Sequence, residues 1–190
     1  MSQGSSQALG ANAAFSIAIR SGAPSHSLEE TLTHWFVQFR EPLFRYALLL
    51  TGNAGDSEEA VQEAFLKLHR DLLAGKAIDN VRAWLFRVVH NAVVDRGRSA
   101  WRAESLLEQY PAPVLSSPER ILLRKEQERE LAEAVERLPA VERQCLFLRR
   151  EGFRYREIAS VLDMGETTVT DNIARAIGRL HRELRVRPSK

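Results

Sequence analysis

Between Tyr155 and Leu184 the spacing of apolar residues leaves this chain few choices. Ile158, Ala159, Val161 and Leu162 fall on one side of a short helix, and small Ala159 lets a second helix cross closely. Asp163-Met164-Gly165 then breaks the pattern with turn residues, after which Thr167 or Thr168 can cap a second helix. Val169, Ile173, Ile177, Leu180 and Leu184 recur at three- and four-residue steps along that longer helix, whose opposite face carries Thr170, Asp171, Arg175, Arg179 and Arg182. A short helix, a tight turn and a second helix with a basic outer face suit entry into a DNA major groove. The plainer reading is a two-helix corner in an all-helical core. The charge pattern favours DNA.

The same periodicity organises the rest. Residues 1–27 are rich in Ser, Gly and Ala with little pattern, and read as a disordered tail. Order is expected from Leu28. Leu32, Trp35, Phe36 and Phe39 form one helical stripe. Pro42 fits the first turn of a second helix, which carries Leu43, Tyr46, Ala47 and Leu50 and ends at Gly52. Asp56 with Glu59 reads as a capping box for a third helix burying Val61, Phe65, Leu68 and Leu72. Asp79 or Asn80 caps a fourth, with Val81, Trp84, Leu85, Val88, Val89 and Ala92 as its apolar side.

Pattern dissolves between 103 and 118, where Pro111, Pro113 and Pro118 mark a linker. Helix then returns with Leu122, Leu131, Val135 and Leu138 inside. Pro139 starts another helix carrying Val141, Cys145, Leu146 and Leu148, which stops at Gly152. The expectation is an all-α chain: a four-helix bundle over 28–102, a flexible linker over 103–118, and a second helical domain over 119–187.

Composition excludes several classes. No apolar run approaches the roughly 18 residues of a membrane span, and the start lacks a signal peptide's pattern, so a cytoplasmic protein is expected. One cysteine, Cys145, allows neither an internal disulfide nor a cysteine-based zinc cluster. Its register with Val141 and Leu148 suggests packing and not nucleophilic chemistry. Net charge is only +2, but its distribution is uneven. Asp56, Glu58, Glu59 and Glu63 form an acidic cluster. Arg82, Arg87, Arg96, Arg98 and Arg102 make a basic stripe, and further arginines close the chain. Such a protein could meet phosphate with two surfaces and a basic partner with a third, although solvated helix faces share part of this pattern.

Two blocks carry a resemblance. One is Ser57-Glu-Glu-Ala-Val-Gln-Glu-Ala-Phe-Leu-Lys-Leu-His-Arg70, followed by Val81-Arg-Ala-Trp-Leu-Phe-Arg-Val-Val-His-Asn91 and Ala92-Val-Val-Asp-Arg96. The other runs from Leu138-Pro-Ala-Val-Glu-Arg143 through Tyr155-Arg-Glu-Ile-Ala159 to Thr168-Val-Thr and the arginine-rich end. In this order, the chain resembles a bacterial sigma factor of the extracytoplasmic-function (ECF) group, which keeps only the second and fourth sigma domains. The likeness covers about Leu28 to Arg185 and implies a promoter-recruiting factor with no catalytic residue and no cofactor.

The resemblance implies that Asp56, Glu59, Gln62 and Glu63 dock on core RNA polymerase. Acidic and amide groups on one helix suit a basic partner, although capping alone accounts for Asp56. It further implies that the fourth helix reads the melted −10 element through Arg82, Trp84, Arg87, Asn91, Arg96 and Arg98, since unpaired bases need charge and stacking surfaces. Trp84 also fits the apolar stripe, and His90 could meet a phosphate, although a lone histidine there fits surface or packing better. The −35 duplex would meet Thr168, Thr170, Asp171, Asn172, Arg175, Arg179 and Arg182, with Arg175 gripping a guanine and Arg179 and Arg182 suiting phosphates. Thr170 stands where the family usually carries a basic residue. Asp171 could pair with Arg175 one turn on, or accept a bond from cytosine. Expected partners are core polymerase, promoter DNA and, as often in the family, an anti-sigma factor.

Two rivals remain at the level of sequence. A helix-turn-helix regulator acting without polymerase would leave the Arg- and Trp-bearing fourth helix unexplained. A recombinase-like enzyme would need a nucleophile or carboxylate cluster, and the scattered histidines His26, His34, His69, His90 and His181 provide none.

Overall fold

A computed structural model describes residues 25–97 and 129–186, with side chains over 28–95 and 129–185. The expected tail up to residue 24 and the linker over 103–118 lie outside the described residues, as does Leu122. The chain divides into two units, Met1–Glu104 and Ser105–Lys190. All regular structure among the described residues is helical.

In the first unit, α1 (Ser25–Thr51), α2 (Ala54–Leu73) and α3 (Val81–Gly97) each pack on the other two. The break expected at Pro42 does not occur: α1 runs through it. Trp35, Phe39, Leu43, Tyr46, Ala47 and Leu50 form one unbroken buried stripe, and packing along it outweighs the hydrogen bond that proline cannot make. The described residues of this unit therefore hold three helices where four were expected. Gly52 closes α1 at a φ of 66°, with its N–H on the Leu48 carbonyl at 2.9 Å.

Asn53, not Asp56, caps α2. Its backbone is extended and its side-chain oxygen accepts the Asp56 N–H at 3.0 Å. Phe65, expected in the core, is half-buried and meets Phe36 edge-on at 5.0 Å. Asn80 caps α3 by accepting the Ala83 N–H at 3.0 Å. The buried face of α3 is Val81, Leu85, Phe86, Val89 and Val93; Trp84, Val88 and Ala92, expected on it, are only half-buried. This helix carries apolar residues nearly all round, so periodicity alone left its rotation open.

In the second unit, a helix over 129–136 (α4) precedes α5 (Ala140–Arg150), α6 (Tyr155–Leu162) and α7 (Glu166–Val186). The last three pack on one another around Leu138, Cys145, Leu148, Phe153, Ile158, Val161, Leu162, Val169 and Ile173. Leu131 and Val141, expected inside, are 44% and 40% exposed. Beside Val141, Glu142 is buried instead, drawn in by a cation on α7. Ile177 and Leu184 are also exposed.

Gly152 ends α5 at a φ of 89°. The α6–α7 turn places Asp163 in the left-handed region at a φ of 51°, and the Met164 N–H closes back on the Ala159 carbonyl at 3.0 Å. Neither Thr167 nor Thr168 caps α7. The helix opens at Glu166 with the Gly165 carbonyl accepting the Val169 N–H at 3.1 Å, so both threonines lie within its first turn. No described helix is long and apolar enough to cross a membrane.

Candidate nucleic-acid interface

On α7, steps of about 100° per residue put Thr168, Asp171, Arg175 and Arg182 within about 60° of one another. All four are exposed. Thr170 is exposed too but lies about 140° round from Arg175. Its hydroxyl donates to the Glu166 carbonyl at 3.1 Å.

Arg175 is held by its own helix. Its Nε donates to the Asp171 carbonyl at 3.3 Å and its guanidinium to the Asn172 side-chain oxygen at 3.2 Å. The partner within Asp171 is therefore the backbone, not the carboxylate expected one turn earlier. Asn172 is only 7% exposed, and its amide nitrogen donates to the Thr168 carbonyl at 2.8 Å. Both ends of that amide are occupied. Arg179 Nε lies 3.2 Å from the buried Glu142 carboxylate. The face expected for DNA thus splits into an outer row and an inner edge.

On α3, Trp84, Arg87 and Asn91 share one side within about 60°, while Arg82 lies about 160° round from Trp84. Arg87 and Asn91 are exposed and Trp84 is half-buried, so the tryptophan belongs with the accessible residues as much as with the core. Arg82 is half-buried on the side that faces the other helices. The Arg96 side chain and the whole of Arg98 lie outside the described residues.

His90 is packing. It is buried, stacks on Tyr46 at 6.2 Å and shares a 3.0 Å hydrogen bond with the Tyr46 hydroxyl. Burial holds its pKa below the ordinary histidine value. Cys145 is packing as well, since burial and then the nearby Glu142 charge push its thiol up to about 11.

On α2, Asp56, Glu59, Gln62 and Glu63 are all exposed and share one face. Sequence reasoning missed that Leu66 and Leu73, 60% and 64% exposed, extend this face toward the C-terminal end of the helix. The available signal was that both fall out of step with the buried Val61, Leu68 and Leu72.

Comparison with known proteins fits both units. Residues 35–103 match the family model for sigma-70 region 2, and residues 128–180 match that for sigma-70 region 4. The RNA polymerase sigma-H factor of Pseudomonas aeruginosa is 32% identical over 136 residues, covering 65% of this chain and 70% of that protein. The ECF RNA polymerase sigma factor SigL of Mycobacterium tuberculosis is 32% identical over 145 residues, covering 73% of this chain and 80% of that one. Among solved structures, the sigma factor RpoE of Bartonella quintana, crystallised with the anti-sigma factor NepR, shares the fold with a TM-score of 0.60. That match is at 21% identity, over 82% of this chain and 98% of RpoE.

Proposed function

The chain belongs to the sigma-70 family of RNA polymerase sigma factors, in its ECF group, and on that premise we propose that it binds core polymerase and directs it to specific promoters. Its role is recruitment and strand selection, and RNA synthesis belongs to the polymerase. What supports this reading is one chain that carries two helical units of this family. One has half-buried Trp84 beside exposed Arg87 and Asn91 along α3; the other has an exposed row with Arg175 and Arg182 along α7.

The α2 face supplies the contact to the polymerase core. Glu59, Gln62 and Glu63 give it charge complementarity to a basic partner, and Leu66 and Leu73 give it apolar area. Asp56 stands at the edge of this face. Trp84, Arg87 and Asn91 read the melted −10 strand: the indole offers a stacking surface, Arg87 a phosphate partner and Asn91 an amide for a base edge. Arg96 and Arg98 would continue that track. Arg82, half-buried on the inner side of α3, stands apart from this track.

On the −35 duplex, Arg175 reads a guanine, Thr168 and Asp171 flank it, Thr170 edges the groove and Arg182 meets phosphate. Asn172 acts by holding Arg175. Arg175→Ala is expected to weaken binding to the upstream element at least several-fold, with lost footprint protection there. Unchanged protection would refute that role. An anti-sigma factor is the expected restraint on the free protein, in keeping with the partner held by the Bartonella relative.

The deciding experiment is run-off transcription from a random promoter pool with purified core polymerase and the full chain. Initiation from an enriched subset with two conserved elements is expected. Competent core that initiates no better with the chain than without it would refute the proposal.

A further inference from the structure

Glu142 is an acid in a place where the amphipathic pattern of α5 calls for an apolar residue. It is 4% exposed, and its Oε2 lies 3.2 Å from Arg179 Nε on α7 without meeting an aligned hydrogen-bond donor. The contact is therefore charge against charge, and it joins two elements 37 residues apart. One turn further along α7, Glu183 pairs with Arg137, whose guanidinium also holds Glu133 of α4 at 3.2 Å. Two successive turns of α7 are thus tied to α5 and to the segment before it. A buried carboxylate demands a cation, and losing that cation strands a charge in the interior. Arg179 also stands on the inner edge of α7, about 40° round from Arg175 toward the packed side.

We propose that Glu142 and Arg179 form a strut setting the angle at which α7 is presented to DNA, so that Arg179 is a positioning residue and not a phosphate contact. This rests on the reading of α7 as the −35 reader. A guanidinium half-exposed beside the groove would otherwise be the natural partner of a phosphate, and its arginine neighbours along α7 make that assignment attractive. Here the buried acid has claimed it. The Glu183–Arg137 pair repeats the arrangement at the next turn, closer to the solvent.

The test is the salt dependence of holoenzyme binding to a duplex carrying the selected −35 element, because each phosphate contact contributes about 0.9 to the log–log slope. Arg179→Gln and Glu142→Gln are each expected to weaken binding several-fold while leaving the slope unchanged. The double variant Glu142→Gln/Arg179→Gln should lose no more than the worse single one. A slope smaller by about 0.9 in Arg179→Gln, with Glu142→Gln binding as wild type, would make Arg179 a phosphate contact and overturn the proposal. If a lone buried charge prevents a single variant from folding, the double variant carries the same slope test. Wild-type holoenzyme that shows no upstream protection at all would instead refute the −35 reading, which keeps the two failures distinct.

Discussion

At the residue scale, function and folding compete for the same side chains, and burial decides between them. His90 sits beside residues assigned to DNA, yet its ring is enclosed against Tyr46. Its pKa is lower in the folded unit than the usual 6.5, so the unfolded chain binds the proton more tightly. The stability tied to the neutral ring is fully present above the unfolded value and is lost as pH falls through the lowered one. Denaturation followed by tryptophan fluorescence should therefore show the first unit weakening below about pH 6.5. His90→Gln, which cannot titrate, should flatten that dependence. Leu66 presents the opposite case, an apolar side chain left in solvent. Leu66→Asp is expected to change stability by no more than about 0.5 kcal/mol while weakening binding to core polymerase, checked by co-purification. A large loss of stability would mean that Leu66 is structural after all.

At the scale of elements, continuity and endings are set by different forces. α1 passes through Pro42 because its buried stripe holds both halves against α2 and α3. The proline still forfeits one backbone bond, to the carbonyl of exposed Gln38. Pro42→Ala is accordingly expected to stabilise the first unit by about 1–3 kcal/mol, seen as a higher denaturant midpoint. A lower midpoint would show that the proline ring itself contributes packing. Endings depend on local chemistry. Asn53 and Asn80 supply side-chain oxygens to helix N-termini, and Gly52 and Gly152 take positive φ at helix ends. Asp163 does the same work in the α6–α7 turn without being glycine, a conformation that short polar side chains tolerate best.

At the scale of the molecule, the two proposed promoter readers, one in each unit, would each be weak alone. The α7 row proposed for the −35 element carries Asp171 beside Arg175, with uncharged Thr170 nearby, which would limit its electrostatic attraction to DNA. On that proposal selectivity would depend on tethering, since engaging one element raises the effective concentration at the other. Promoters stripped of either element should lose on the order of 10²-fold in holoenzyme affinity, against a smaller loss for single-base changes. Equal losses from both kinds of change would argue against two cooperating readers.

The order of residues by itself determined the helical class and the limits of α6, and it placed the turn before α7. Those features depend on contacts three or four positions apart and on turn residues whose preferences are intrinsic. It also brought out the exposed acid-and-amide face of α2, because polar residues there alternate cleanly with Val61, Leu68 and Leu72. Only the tertiary structure decided the rotation of α3, where Phe86 and Val93 went inside and Trp84 stayed half out. Only it separated Arg175 and Arg182 from Arg179 and Asn172, which looked equivalent along the helix. The physical reason is that periodicity tells which residues share a face, whereas the fate of a charge depends on what a distant helix places opposite it. Glu142 meets Arg179 across 37 residues, and no local pattern records that.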